Sequence, residues 1–434
     1  MEDNHMEEHD QKLETEVAPA LIAVHPNQKF ISVSIGSDLR LFNLQDGSGV
    51  TLLDENGGHK DSIRSIRYSK SGQLFASAGD DKLVKIWDTN SWRCIYSVVS
   101  EKRVTSLAIS CDEMFVCFAD KFGVVYVVDV RDYNNENRAL VNTKGVPLLS
   151  HYCSIITRLE FSPDGKYIVT ADRDFKIRVT LFPKEPLSGA HEIQSFCLGH
   201  TEFVSCLAFI SSQDYPQGLL ASGSGDSTVR LWDYASGSLL DTCDVGAKAG
   251  LLHSNQKQDE ILPSVTDLCA TSNGSRIAVA IQSLPGIMLL KCNLSSNTLS
   301  VIKVVSITAE TFIPTSIGAS SSVPLLWMVM GASSLQSNNF ALLARVRVVS
   351  GFSDNSSVTV EPEISVLDDK EIPRGEPLLQ ILQGKLSIGE EAFSTAAEAV
   401  KTSMRNLLIK KQYSAERREF RKRGRNDKKN QTPA

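Results

Sequence analysis

Gly199-His200-Thr201-Glu202-Phe203-Val204-Ser205-Cys206-Leu207-Ala208-Phe209, then Leu219-Leu220-Ala221-Ser222-Gly223-Ser224, then Thr228-Val229-Arg230-Leu231-Trp232-Asp233 are three short apolar-alternating runs separated by turn residues. Period-two alternation over runs this short is the signature of half-buried β-strands. A second copy runs from Gly58-His59 through Ile63 to Tyr68, then Leu74-Phe75-Ala76-Ser77-Ala78, then Leu83-Val84-Lys85-Ile86-Trp87-Asp88. In both copies a serine stands ten residues before the tryptophan and an aspartate six before it: Ser77, Asp81 and Trp87 in one, Ser222, Asp226 and Trp232 in the other. A histidine donating to the aspartate, with the serine and the indole N–H completing the chain, satisfies every buried polar member and pins a sheet that has no helix to hold it. His59, Ser77, Asp81, Trp87, His200, Ser222, Asp226 and Trp232 are therefore read as structural, not as a hydrolytic triad.

The unit recurs. Ser150-His151 opens a degenerate copy with Ile155 to Phe161 as its first strand and Thr170, Asp174 and Thr180 in the serine, aspartate and tryptophan positions. Val104 to Ile109, Phe115 to Phe118 and Val124 to Val128 form another, with Tyr126 assigned to the tryptophan position. Ala20 to Val24, Phe30 to Ile35 and Leu39 to Leu44 make a first copy, and Val265 to Ala270, Arg276 to Ile281 and Ile287 to Cys292 a sixth. Leu299 to Ile307, Pro324 to Met330, Ala341 to Val349 and Ser357 to Val360 are assigned to a seventh. Repeats of four strands at this period describe an all-β, seven-bladed WD-repeat β-propeller, with the N-terminal strand as a candidate for closing the ring.

The expected organisation is a disordered acidic segment 1–16, a propeller over 17–375, and an amphipathic helix with a basic tail over 376–434. In the last region Phe393, Ala396, Ala397, Val400, Met404, Leu407 and Leu408 recur at three- and four-residue steps. The formal net charge of -6 hides an asymmetry, because the first 16 residues are acidic and the tail is rich in Lys and Arg. Lys410, Lys411, Arg417, Arg418, Arg421, Lys422, Arg423 and Arg425, interleaved with Tyr413 and Phe420, suit phosphate neutralisation or nuclear import, and equally a plain solvated tail.

No apolar run reaches membrane-spanning length, and Met-Glu-Asp-Asn-His-Met-Glu-Glu lacks the features of a secretory signal, so an intracellular protein with no membrane association is expected. The nine cysteines include no Cys-x-x-Cys pair and read as buried reduced thiols. Neither a phosphate-cradling glycine motif, nor a Gly-x-Ser-x-Gly elbow, nor zinc-ligand spacing occurs. No catalytic residue, metal site or bound cofactor is expected.

One stretch is left over. In Ala171-Asp172-Arg173-Asp174-Phe175-Lys176-Ile177-Arg178 three cations alternate with two acids beside the copy that lacks its tryptophan. This is either a solvated strand edge or a polar docking patch for a protein partner.

These residues carry a resemblance. Thr170 to Val179, Phe196-Cys197-Leu198-Gly199-His200-Thr201-Glu202-Phe203-Val204-Ser205 and Ser222-Gly223-Ser224-Gly225-Asp226 ahead of Arg230-Leu231-Trp232-Asp233-Tyr234 resemble the WD-repeat non-catalytic subunit of the tRNA (guanine-N(7)-)-methyltransferase, over roughly residues 50 to 240. The resemblance implies a nuclear heterodimer in which a separate catalytic subunit binds S-adenosylmethionine and forms 7-methylguanosine in the tRNA variable loop, while the propeller holds that subunit active and helps seat tRNA. It also implies that Arg173, Asp174, Lys176 and Arg178, adjoined by Glu202 and Phe203, face the partner, with Phe175 standing where that motif usually has an acid. The alternative is a substrate receptor of a cullin-based ubiquitin ligase, but Trp87-Asp88 and Trp232-Asp233 are followed by Thr89-Asn90 and Tyr234-Ala235, not by the x-Arg of such receptors.

Overall fold

A computed structural model describes residues 18–131, 144–151, 154–252, 262–271, 274–307, 312–320, 322–333, 343–352 and 363–383. Seven antiparallel sheets follow one another along the chain, each running from an inner strand to an outer edge strand. Blade 4, for example, consists of Ile156–Phe161, Tyr167–Asp172, Ile177–Leu181 and Ile193–Cys197, and blade 5 of Val204–Ile210, Leu219–Ser224, Thr228–Asp233 and Ser238–Asp244. The inner strands of successive blades stand side by side, and that of blade 7, Ser316–Ala319, returns to that of blade 1, Leu21–Val24. Ala18–Pro19 pairs with Ser333 and Ala332 of blade 7, so the start of the described chain closes the ring.

Burial follows the same plan. Seven apolar clusters each join one pair of neighbouring blades: Val169, Ile177 and Val179 of blade 4 meet Leu207, Leu220 and Trp232 of blade 5, and so on round the ring. Each blade is thus covered on both faces, which explains second strands such as Leu74–Gly79 and Leu219–Ser224 that are buried at every position.

Hydroxyl groups bolt the blades together. Thr105 Oγ1 donates to the carbonyl of Ile156 at 2.7 Å, Thr157 Oγ1 to that of Val204, Ser205 Oγ to that of Val265, Thr266 Oγ1 to that of Pro314 at 3.4 Å, and Thr315 Oγ1 to that of Ala20 at 2.6 Å. Each acceptor is the residue just before the next hydroxyl position. The series stops where that position holds Leu21 in blade 1 and Arg64 in blade 2. There Ser32 Oγ meets the Tyr68 hydroxyl at 2.6 Å, and the Leu107 N–H donates to Ser65 Oγ.

Inner-strand side chains also reach across the ring. Arg67 of blade 2 pairs with Glu160 of blade 4 at 2.7 Å, and Arg158 of blade 4 pairs with Asp267 of blade 6 at 2.7 Å. Asp267 also accepts from Ser316 Oγ at 3.0 Å.

Three sequence expectations change. The strand assigned to blade 7 from Leu299 to Ile307 is the edge of blade 6, Thr298–Ser306, which pairs with Gly286–Asn293; blade 7 is built from Ser316–Ala319, Leu326–Ser333, Leu343–Ser350 and Ser365–Val366. A helix, Gly375–Gln383, spans the expected domain boundary and buries Leu378, Leu379 and Leu382 against Phe42 and Trp327, so it belongs to the rim of blades 7 and 1. In blade 3 Val116 pairs with Val128 as Phe75 pairs with Trp87, so Val128 holds the tryptophan position. Tyr126 instead matches Lys85, and its ring stacks on Phe118, which occupies the serine position, at 5.3 Å. Residues 1–16, Ser357 to Val360, the helix expected around Phe393 to Leu408 and the basic tail lie outside the described residues.

Candidate partner-docking face

In blade 5 the Trp232 indole N–H donates to Ser222 Oγ at 2.8 Å, Ser222 Oγ lies 2.7 Å from His200 Nε2, and His200 Nδ1 lies 2.9 Å from Asp226 Oδ2. A carboxylate only accepts, so Nδ1 carries the proton and Nε2 accepts from the serine. Burial lowers the His200 pKa against the raising effect of Asp226. Burial pushes the Asp226 carboxyl up, but bonds from His200, Thr228 and the Thr201 N–H outweigh it and hold the group well below the usual carboxylate range. Blade 2 repeats the chain with Trp87, Ser77, His59 and Asp81 at 3.2, 2.8 and 2.8 Å.

Both serines are fully buried and the histidine side chains are 1% exposed, so no substrate can reach a nucleophile here. Histidine, aspartate and serine are arranged as in a hydrolase and sealed as in a core. Among the described residues no group of three or more His, Cys, Asp or Glu side chains is placed to hold a metal. Burial raises the thiol pKa of every described cysteine, Cys206 to about 12, which is unlike the depressed pKa of a reactive thiol.

Blade 4 departs from this scheme. His151 Nε2 meets Thr170 Oγ1 at 2.7 Å, but His151 Nδ1 meets Asp172 Oδ2 at 3.0 Å, not the Asp174 expected from the six-residue offset. Asp172 ends its strand and overhangs the histidine slot, while Asp174 lies one turn further out, 3.8 Å from the Nε of the buried Arg173. Thr180 does hold the tryptophan position, since it pairs with Ile168 as Trp232 pairs with Leu220. With no indole there, Arg178 folds back: its Nε donates to Thr180 Oγ1 at 3.1 Å and its Nη1 to the Ser150 carbonyl at 3.1 Å. Burial depresses the Arg178 pKa, against the raising field of Asp172.

The residues expected to face a partner therefore divide. Lys176 and Glu202 are exposed, Asp174 and Arg178 are half-buried, and Arg173 and Phe203 are buried at 6% and 2%. The Phe203 ring lies over Gly225, where a Cβ would come within 2.4 Å of it, so Phe203 seats the turn beneath Glu202 and does not point outward. Burial, with the field of Asp226, raises the Glu202 pKa.

Residues 134–322 match the family model described as the tRNA methyltransferase TRM82 WD40 domain, and residues 51–88 match the WD domain, G-beta repeat. The chain is 30% identical over 291 residues, 64% of its own length and 59% of the relative's, to the tRNA (guanine-N(7)-)-methyltransferase non-catalytic subunit wdr4 of Dictyostelium discoideum. It is 33% identical to the corresponding subunit of Homo sapiens, covering 55% of this chain and 56% of that one, and 33% identical to that of Xenopus laevis, covering 63% and 66%. The chain belongs to this family of WD-repeat non-catalytic subunits. It spans roughly half to two thirds of the length of these curated relatives. Among solved structures, the one titled "Structure of U3-55K" superposes with a TM-score of 0.57 at 19% identity over 72% of this chain and 88% of that one, a likeness of fold alone. Within the family match lie blades 4, 5 and 6, among them one blade with a complete polar chain and the one with the altered chain.

Proposed function

We propose that this chain is the non-catalytic scaffold subunit of a heterodimeric tRNA methyltransferase that forms 7-methylguanosine in the tRNA variable loop. The family match across blade 4, in a molecule whose His-Asp-Ser groups are sealed from solvent, carries the reading. In it the propeller grips a separate catalytic subunit, which binds S-adenosylmethionine, and keeps it in its active conformation. Lys176, Arg178, Asp174 and Glu202 supply the polar part of the grip. Charged groups at such a contact set orientation and association rate more than bulk affinity. The basic tail from Lys410 to Lys429 adds phosphate contacts to tRNA, and the heterodimer works in the nucleus.

The test is direct. Affinity purification of the full chain should recover a methyltransferase chain in equal amount, and loss of this chain should remove 7-methylguanosine from tRNA. Retention of the modification at its normal level would sink the reading. Deleting residues 410–434 should lower tRNA affinity of the complex and flatten its salt dependence by about 0.7–0.9 in log-log slope for each phosphate that is no longer neutralised.

A further inference from the structure

The outer strands of blades 2 to 6 run for five to nine residues, but those of blades 1 and 7, Ser48–Gly49 and Ser365–Val366, have two residues each. These two blades meet where the ring closes. Ser48–Gly49 pairs with Phe42 and Asn43, and Ser365–Val366 with Val349 and Ser350. Among the described residues, Asp38 to Arg40 of blade 1 and Leu343 to Arg347 of blade 7 therefore have no outer strand beside them. An open sheet edge invites pairing and is normally covered.

The helix Gly375–Gln383 lies over both gaps. On blade 7 the Val346 N–H, which points to the missing strand, donates to Gln383 Oε1 at 2.6 Å, and Arg345 Nη1 donates to the same oxygen at 3.1 Å. On blade 1 Arg40 Nη1 donates to the Leu382 carbonyl at 3.2 Å. Just before the helix, Arg374 Nε donates to the Leu44 carbonyl at 3.1 Å and its Nη2 to that of Gln45. Leu378, Leu379 and Leu382 join Phe42 of blade 1 with Trp327 and Val346 of blade 7 in one apolar cluster.

Beneath the helix the ring is tied by few backbone bonds. Ala18–Pro19 contributes two paired residues, of which Pro19 has no N–H to give. Ala20 adds an N–H to the Gly331 carbonyl at 2.8 Å and accepts from Thr315 Oγ1 at 2.6 Å. The helix has nine residues, too few to persist in water by themselves. Charge holds the turn that leads into it: Asp369, whose side chain is 45% exposed, accepts from Arg345 Nη2 at 2.9 Å and from Arg347 Nη1 at 2.5 Å. A short helix fastened to two different blades, with half-open ties, is the kind of unit that opens as one piece.

We infer that the helix Gly375–Gln383 is a clasp on the ring. Docked, it stands in for the outer strands that blades 7 and 1 lack and holds the seam shut. Lifted, it frees both sheet edges and lets the ring part between these two blades. The clasp is independent of the partner proposed above, because blade 4 stands on the far side of the ring from the seam.

The experiment follows amide hydrogen exchange of the full chain by mass spectrometry. Leu378→Ser combined with Leu382→Ser should speed exchange about tenfold or more in the strands of blades 7 and 1, while those of blades 3 to 5 keep their rates. Asp369→Asn, which removes only the charge shared by the two arginines, should give the same pattern at a smaller factor, and decides the matter if the double variant does not fold. A disulfide across the seam should reverse the effect. A Cβ at Gly318 would stand 3.1 Å from Val24 Cγ2, so Val24→Cys and Gly318→Cys lie within bridging reach, and their oxidation should restore slow exchange in both blades. Exchange that stays slow in blades 7 and 1, or that quickens evenly round all seven blades, overturns the clasp. Fast exchange that the closed disulfide leaves unrepaired overturns it as well.

Discussion

Blades 4 and 5 are neighbours, share one apolar cluster and have the same four-strand plan, yet they solve the same problem differently. Blade 5 closes its polar chain with Trp232, so that every member is buried and partnered. Blade 4 ends at Thr170 and covers the gap with Arg178, a cation held by neutral oxygens and half open to solvent. An indole seals a blade, whereas a guanidinium leaves it half open to solvent. The difference shows what a repeat protein can vary: one unit can exchange its sealing device for another group while its neighbour keeps it.

The largest test removes the seal. Trp232→Ala should cost about 3–5 kcal/mol of stability, from the cavity and the lost indole bond to Ser222, against about 1 kcal/mol for Thr180→Ala, which loses a methyl and a hydrogen bond to Arg178; urea melts of the two variants measure the gap. Equal costs would dissolve the contrast. Next, Thr180→Trp offers blade 4 the missing indole. Because Arg178 already fills that space, overpacking should cost about 1–3 kcal/mol, with loss of partner affinity; a rise in melting temperature would show blade 4 to be only a damaged copy of blade 5.

The smallest effect is a titration. Folding depresses the His200 pKa, so as pH falls below about 6.5 the unfolded chain takes up its proton first. Stability therefore declines from there down to the lowered folded value, and is fully present above 6.5. Burial, helped by the field of Lys29, takes His25 the same way, to about 4, which sets the lower end of the window for that residue. NMR titration of both imidazoles checks the sign, and a midpoint above 6.5 for either would contradict it.

Much of this is legible in the amino-acid sequence. The strands of blades 2 and 5 and their His, Asp, Ser and Trp residues stand at fixed offsets because each blade repeats one hydrogen-bonding problem. Asp172 escapes such a reading because offset counting selects Asp174, and only the turn geometry shows which carboxylate overhangs His151. Tyr126 misleads for a related reason: an aromatic in a third strand looks like the tryptophan, but Val128 before Asp129 has the matching register. The interblade hydroxyls leave a readable trace, an apolar residue followed by Thr or Ser at the start of five inner strands, as in Val104-Thr105, Ile156-Thr157 and Val204-Ser205. The exposure of Phe196 leaves none, because it depends on which way its edge strand faces.

The file Arg67, Glu160, Arg158 and Asp267 that crosses the ring adds two positive and two negative charges to the bore, which cancel. Pairs of this kind exert little net pull on a polyanion such as tRNA. The hole through a propeller is often its most inviting feature; here the pairs that cross it leave no net charge of their own.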